Sequence, residues 1–151
     1  MKRLFIVSAL ILLFAANIEA QVGLGARGLF GTDGNAYGGV EFSIQKLGKY
    51  ELDIGTMNDS WKATGLKLFP FVKRRNFGIY GGGGIGIGYY EPQDDIFGSL
   101  ALNLGSYIMV GRVQLGLDWR PEWSFSYPYE RSLGFNTALS ARWVFGRKDK
   151  N

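Results

Sequence analysis

The stretch GIYGGGGIGIGYY, Gly78 to Tyr90, contains glycines with the spacing of a phosphate-binding loop. Gly81, Gly83 and Gly86 match the pattern G-x-G-x-x-G. In a dinucleotide-binding fold such glycines let the backbone approach a pyrophosphate, and a helix begins directly after them. Here the chain continues with YYEPQDD, in which a proline and carboxylates follow the glycines. We therefore expect these glycines to serve another purpose than nucleotide binding.

The residue types that most often activate a nucleophile are missing from this chain. Histidine and cysteine both number 0, so a histidine-activated serine or water and a thiolate metal site are excluded. Glu51 and Asp53 lie on one expected strand, where paired carboxylates usually serve as salt-bridge partners. The acidic residues in EPQDD miss the spacing of a calcium loop. We predict a protein that is not an enzyme, with no catalytic residue, no metal site and no cofactor.

The first twenty residues have the layout of a secretory signal peptide. Lys2 and Arg3 precede an apolar run from Leu4 to Ala16, and the small residue Ala20 stands at a cleavage position. A membrane-spanning helix needs about 20 apolar residues, which this run does not reach. The prediction is a signal peptide over residues 1–20 and one mature domain over residues 21–151.

Composition narrows the class of the mature domain. The net charge of the whole chain, +4, is mild, and no block of lysine and arginine is interleaved with stacking aromatics, so we expect no nucleic-acid partner. Glycine is abundant, with 23 residues, yet aromatic residues make up 15% of the chain. Disordered glycine-rich chains lack such aromatics, so this glycine content belongs to a folded domain.

Alternation of apolar and polar residues is the dominant pattern of the mature chain. From Val113 to Phe125, VQLGLDWRPEWSF places every large apolar side chain on one face and polar or small residues on the other. The same period, with turn-like connections, predicts eight strands, at residues 22–30, 36–46, 49–58, 61–71, 77–90, 99–110, 113–125 and 133–145. An even number of such strands predicts an all-β fold, an eight-stranded antiparallel up-and-down barrel.

The distribution of bulk between the two faces indicates that the apolar face points outward, to lipid. The interior of an eight-stranded barrel only just accommodates side chains, so it has no room for all the large apolar ones. The polar face, in contrast, is rich in glycine, alanine and serine. Aromatic residues of the apolar face are expected near strand ends, where a membrane barrel carries its aromatic girdles. They are Phe77, Trp119, Trp123, Phe125, Trp143 and Phe145. The prediction is a transmembrane β-barrel.

The polar face then lines the barrel lumen and brings charges of both signs together. Buried charges persist when they are paired, so a nearly balanced set predicts a polar plug that closes the lumen. This expected lumen network comprises Arg27, Glu41, Glu51, Asp53, Lys67, Asp118, Arg120, Glu122 and Arg142. A narrow ion pathway lined by the same charges is the alternative.

Parity in the glycine stretch gives the glycines a role in packing. Gly78, Gly82, Gly84, Gly86 and Gly88 fall on the lumen register, whereas Ile85 and Ile87 fall on the lipid register. A wall without side chains leaves room for bulky neighbours, and we expect Lys67 and Tyr107 to use that room. Glycine also permits the strand curvature that barrel closure requires.

Charge in the predicted connections separates between the two ends of the barrel. With both termini on the periplasmic side, the inner turns and the tail carry Lys46, Lys73, Arg74, Arg75, Arg112, Arg147, Lys148 and Lys150. The outer loops carry Asp33, Asp59, Glu91, Asp94, Asp95 and Glu130. Solvated charged loops account for this pattern without a bound ion.

The final strand ends in ARWVF, and GLDWRPEWSF precedes it. With these segments the chain, over residues 22–145, resembles the small eight-stranded outer-membrane barrels of OmpA-like and OmpX-like architecture. The resemblance implies a monomer in the outer membrane of a Gram-negative bacterium, in contact with outer-membrane lipid and, during biogenesis, with the barrel-assembly machinery. It implies a structural or surface-interaction role, in adhesion or defence, toward a surface ligand that the sequence does not name. A narrow channel for small solutes is the alternative, and a periplasmic lipocalin-like carrier is a further one.

Overall fold

The computed structural model describes residues 21–31, 38–46, 49–57, 59–125 and 133–146. These residues form eight strands and one turn of 3₁₀-helix, Glu91–Gln93. The strands are β1 (Val22–Gly31), β2 (Gly38–Lys46), β3 (Tyr50–Met57), β4 (Ser60–Lys73), β5 (Phe77–Tyr90), β6 (Asp95–Val110), β7 (Val113–Phe125) and β8 (Leu133–Phe145). Each strand pairs with the next in antiparallel fashion, and β1 pairs with β8 to close the barrel. The predicted all-β, eight-stranded antiparallel barrel is confirmed.

The strands are staggered, so each rises across the barrel wall at an angle. Leu24 pairs directly with Trp143 on β8. Paired residues can also be followed from Leu24 around the barrel in the other direction, through β2 to β7. This path passes Ile44, Leu52, Gly65, Ile85, Leu100 and Trp123 and reaches β8 at Leu133, ten residues from Trp143. Barrels closed with such a stagger have strands tilted by about 35–45° from the axis.

The outer wall is apolar and the interior holds the polar residues. Large apolar side chains point outward on every strand, and those of Ile85 and Leu102 are 68% and 65% exposed. Arginine and carboxylate side chains are buried inside, among them Arg27 and Asp53 at 0% exposure. This polarity is the reverse of that of a soluble barrel and is the arrangement of a transmembrane barrel. No helix in the described part of the chain is long and apolar enough to span a bilayer.

Aromatic side chains on the outer wall gather mainly at strand ends. Trp143 and Phe145 stand where β8 ends, and Trp123 and Phe125 stand where β7 ends at the opposite end of the barrel. Such aromatics suit the interfaces between water and lipid. The expectation for Trp119 is wrong, because this residue lies halfway along β7, where its ring stacks on that of a neighbour, Phe135, at 6.0 Å.

Two predicted strand boundaries need correction. β6 begins at Asp95 rather than at residue 99, because Asp95–Gly98 continue the pairing with β5. β4 runs on to Lys73, past a register shift between Pro70 and Val72 that the alternation pattern does not reveal. The predictions for residues 1–20, for Asp33 and Glu130, and for the tail residues Arg147, Lys148 and Lys150 lie outside the described residues.

Candidate functional site: the charged barrel interior

Arg27 of β1 lies at the centre of the charges inside the barrel. Its guanidinium donates hydrogen bonds to Glu41 of β2 and to Asp118 of β7. Its Nε lies 3.8 Å from Glu51 Oε1, and its Nη1 lies 3.7 Å from Asp53 Oδ2, both on β3. One fully buried cation therefore interacts with carboxylates from β2, β3 and β7. The guanidinium suits this position because its planar fork of donors remains charged.

Two further arginines complete the pairing of the β3 carboxylates. Arg120 Nη2 on β7 lies 2.8 Å from Glu51 Oε1 and 2.7 Å from Asp53 Oδ2. Arg142 Nη2 on β8 lies 3.2 Å from Glu51 Oε1, and its Nε donates to Ser43 Oγ at 2.9 Å. The alternation of β-strands brings these residues together, because every second residue of β1, β2, β3, β7 and β8 points inward.

Amides extend this network beyond the charged residues. Gln114 donates through Nε2 to Gln45 Oε1 at 2.8 Å, and Gln45 donates to Glu51 Oε2 at 2.6 Å. Asn103 Nδ2 lies 3.3 Å from Asp118 Oδ1. The predicted lumen network contained only charged residues of the polar face and therefore omitted these amides. Their inward parity was readable from Gln45 and Gln114 alternating with apolar residues.

Lys67, predicted to face the lumen, lies on the outer wall instead. Its side chain is exposed, and its Nζ donates to Tyr50 Oη at 2.5 Å. The prediction was wrong because β4 places the apolar Leu66 and Leu68 inside, which reverses the usual polarity. The signal that was overlooked is parity with the exposed Trp61, because residues an even number of positions apart share a face.

Lys62, rather than Lys67, is the lysine of β4 that faces the lumen. It lies inside β4 and pairs with Glu122 of β7, with 2.5 Å between Nζ and Oε2. The exchange of one lysine for the other leaves the charge balance unchanged. The buried cations are Arg27, Lys62, Arg120 and Arg142, and the buried anions are Glu41, Glu51, Asp53, Asp118 and Glu122.

Apart from Lys62 of β4, the buried charges come from β1–β3, β7 and β8, and we call this side of the interior the charged half. Of the nine predicted lumen charges, the eight other than Lys67 lie inside, each no more than 5% exposed. A water-filled pore would expose the side chains along its wall. Because these side chains are buried, the pairs close the barrel at this level.

The other side of the interior, the packed half, is provided mainly by β4–β6 and contains an apolar cluster beside buried polar residues such as Thr64 and Ser99. It contains Leu66, Leu68, Tyr80, Ala101, Tyr107 and Met109 together with Val144 of β8. Glycines on neighbouring strands make room for its rings. A Cβ at Gly78 would lie 2.5 Å from the Tyr107 ring, and one at Gly105 would lie 2.6 Å from the Tyr80 ring. Of the predicted glycine wall, Gly78 is therefore the member that lies against Tyr107.

Glycine at two positions of β5 answers a different need from the one predicted. Gly82 and Gly84 face the interior, but a Cβ there would collide with the backbone of β4 at Lys67 and Gly65 rather than with lumen side chains. The backbones approach too closely for a side chain, so these positions favour glycine. Gly86 and Gly88 instead face Ser99 Oγ and the Phe97 ring. The expectation that this wall makes room for Lys67 is wrong, since Lys67 is outside.

The two ends of the barrel carry opposite charge. The end at which β1 begins and β8 ends has a basic rim, whose described members are Lys46, Lys49, Lys73, Arg74, Arg75 and Arg112. The opposite end has an acidic rim, whose described members are Asp59, Glu91, Asp94 and Asp95. At the acidic rim the Glu91 N–H donates to the Asp59 carbonyl oxygen at 3.0 Å, which joins two neighbouring connections.

The described residues contain no group of three or more potential ligands arranged to hold a metal ion. Each interior carboxylate has a cation as its neighbour. The charges therefore neutralise one another, and several pairs join strands that are not adjacent, such as β3 and β7.

No protein-family model and no curated protein sequence matches this chain. Among solved structures, the chain is similar to neisserial surface protein A (NspA), with a TM-score of 0.53 at 10% identity over 82% of this chain and 94% of that one. A de novo designed protein, TMB2.3, has a TM-score of 0.49 at 12% identity over 83% of this chain and 94% of the designed one. The likeness to NspA concerns the fold alone, a small closed β-barrel.

Proposed function

We propose that this chain is a monomeric integral protein of the outer membrane of a Gram-negative bacterium, where it has a structural or surface-interaction role and no enzymatic activity. One observation carries the proposal, namely the reversed polarity of the barrel. Large apolar side chains cover the outer wall, and paired charges fill the interior. A lipocalin-like carrier is apolar inside and polar outside. If this chain were such a soluble carrier, its apolar outer wall would be exposed to water, which is strongly unfavourable.

The location in the outer membrane has further support. The sequence begins with a predicted signal peptide, and closed barrels are one of the two structures that satisfy all backbone groups inside a bilayer. One solved structure that resembles this chain is named as a surface protein of Neisseria. The basic rim would then face the periplasm and the acidic rim the cell exterior, where a surface ligand would meet it.

Fractionation and folding assays test the location. The processed protein, expected to begin at Gln21, should sediment with outer membranes, resist carbonate extraction and migrate faster on gels before heating than after it. Depletion of the barrel-assembly machinery should reduce its amount in the membrane. Recovery in the soluble periplasmic fraction would contradict the proposal and favour the carrier.

A sealed interior favours the structural role over a channel for small solutes. Arg27, Asp53 and Asp118 are at most 1% exposed, and they link the β1, β3 and β7 walls across the lumen. In planar bilayers we expect no steady conductance from the intact protein. A stable, reproducible conductance would overturn the closed-lumen interpretation while leaving the membrane location intact.

A further inference from the structure

An outward-facing row of residues crosses the wall near the basic rim. Lys46 on β2 pairs with Tyr50 on β3, Tyr50 pairs with Lys67 on β4, and Lys67 pairs with Gly83 on β5. Adjacent strands lie about 4.8 Å apart, so the two lysines flank the tyrosine. The Lys67 ammonium donates to Tyr50 Oη at 2.5 Å and lies 4.0 Å from the centre of its ring.

This row places positive charge on a wall that is otherwise apolar. The acidic residues of β3, Glu51 and Asp53, point inward and pair with arginines. No described residue that faces outward on β2–β6 in this part of the wall is acidic. A lysine on a lipid-facing surface is costly unless it reaches an anion or water at the interface. Its hydrogen bond to Tyr50 uses one of three ammonium donors, which leaves two for an anion.

A furrow on the same wall begins beside Lys67. Gly65 and Gly83 face outward without side chains, and nothing lies within 4 Å of the position that a Cβ would take at Gly65. The exposed side chains of Ile85 and Leu102 border these glycines. Gly81, one outward position nearer the basic rim, is different because a Cβ there would lie 2.6 Å from the Phe71 ring, which occupies that space.

We propose that this wall binds one molecule of an anionic phospholipid. Its phosphate lies between the ammonium groups of Lys46 and Lys67, and one acyl chain lies in the furrow over Gly65 and Gly83. The positions of the charge and the furrow suit a lipid, because Gly65 lies farther from the basic rim than Lys67 on β4 and therefore nearer the middle of the bilayer. This inference rests on the proposed membrane location, with the basic rim at the leaflet that contains phospholipid.

The test is native mass spectrometry of the mature protein folded in detergent and titrated with phosphatidylglycerol. Phosphatidylcholine and inorganic phosphate are titrated separately, to distinguish a net negative headgroup from a zwitterionic one and a lipid from a free anion. We expect a single saturable phosphatidylglycerol adduct. Lys67→Gln should weaken it about fivefold, because a basic residue near an anionic headgroup contributes about 1 kcal/mol.

A second variant tests the contribution of the acyl chain separately from that of the headgroup. Gly65→Leu places its Cβ in open space at the furrow and should weaken lipid binding several-fold with the charges unchanged. Lys73→Gln is the matched control, because it removes the same charge from the same strand about 20 Å away and should change binding less than twofold.

Several results would overturn the lipid site. Equal lipid binding by Lys67→Gln, Lys73→Gln and the parent protein would show that Lys67 does not contribute to binding. Equal binding of phosphatidylcholine would show that the phosphate charge has no role, and adducts with inorganic phosphate alone would point to a free anion. Folding is checked by gel migration before and after heating. A folded protein that inserts into vesicles but shows no such adduct fails this inference alone, whereas failure to insert contradicts the proposed location.

Discussion

The charged half and the packed half of the interior exclude water by different physical means. In the charged half, Arg27 and Arg120 hold carboxylates of β2, β3 and β7 by direct ion pairs. In the packed half, rings such as Tyr80 and Tyr107 fill the volume that glycines on neighbouring strands leave open. The charged half is therefore sensitive to loss of one partner, whereas the packed half is sensitive to added volume.

The largest effect is expected from removing the central cation of the charged half. Arg27→Ala leaves Glu41 and Asp118 buried without their main partner. Breaking a buried pair from one side costs about 3–5 kcal/mol, because a charge remains uncompensated. The measurement is the urea unfolding midpoint in lipid vesicles followed by tryptophan fluorescence, and Arg120→Ala should behave alike. Lys73→Ala at the basic rim is the control, and equal midpoints for Arg27→Ala and this control would contradict the pairing model.

The packed half should respond to added bulk. Gly84→Leu places a side chain against the backbone of β4 and should destabilise the barrel by at least about 1–3 kcal/mol. Gly65→Leu adds the same side chain at an outward position with open space and should fold normally. Gly83→Leu should lie between the two, because a Cβ there would be 3.1 Å from the Ala101 carbonyl oxygen. Folding yields in detergent, read from gel migration before and after heating, provide the ranking. Similar yields for Gly84→Leu and Gly65→Leu would contradict the assigned faces of these strands.

The smallest effect is expected from a polar atom of the packed half. Among the described residues, Tyr80 Oη has no hydrogen-bond partner although its side chain is buried. Tyr80→Phe keeps the ring over Gly105 and removes an unsatisfied hydroxyl, whose burial costs about 1–3 kcal/mol. The unfolding midpoint should therefore stay the same or rise. A marked fall would show that the hydroxyl has a partner, such as a buried water, and that the packed half also depends on polar contacts.

Most strand boundaries were predictable because a two-residue period is a local property of the chain. β7 and β8 begin and end where the alternation predicts, at Val113–Phe125 and Leu133–Phe145. The inward position of Arg120 and Arg142 follows from the same parity. β4 was the exception, because both of its faces carry apolar residues. Trp61 and Lys67 share a face by parity, and the tryptophan rather than the lysine indicates that this face points outward.

By itself, the sequence determined that this chain forms eight alternating strands with more apolar bulk than an eight-stranded interior can contain. The strands follow from local periodicity and the excess bulk from the summed volume of apolar side chains, and both can be read from the sequence of one chain. Only the tertiary structure decided that Arg27 meets Asp118, that Lys62 pairs with Glu122, and that Gly84 lies against the backbone of β4. These contacts depend on the stagger with which the strands close, because that stagger sets which residues of distant strands share a level in the lumen.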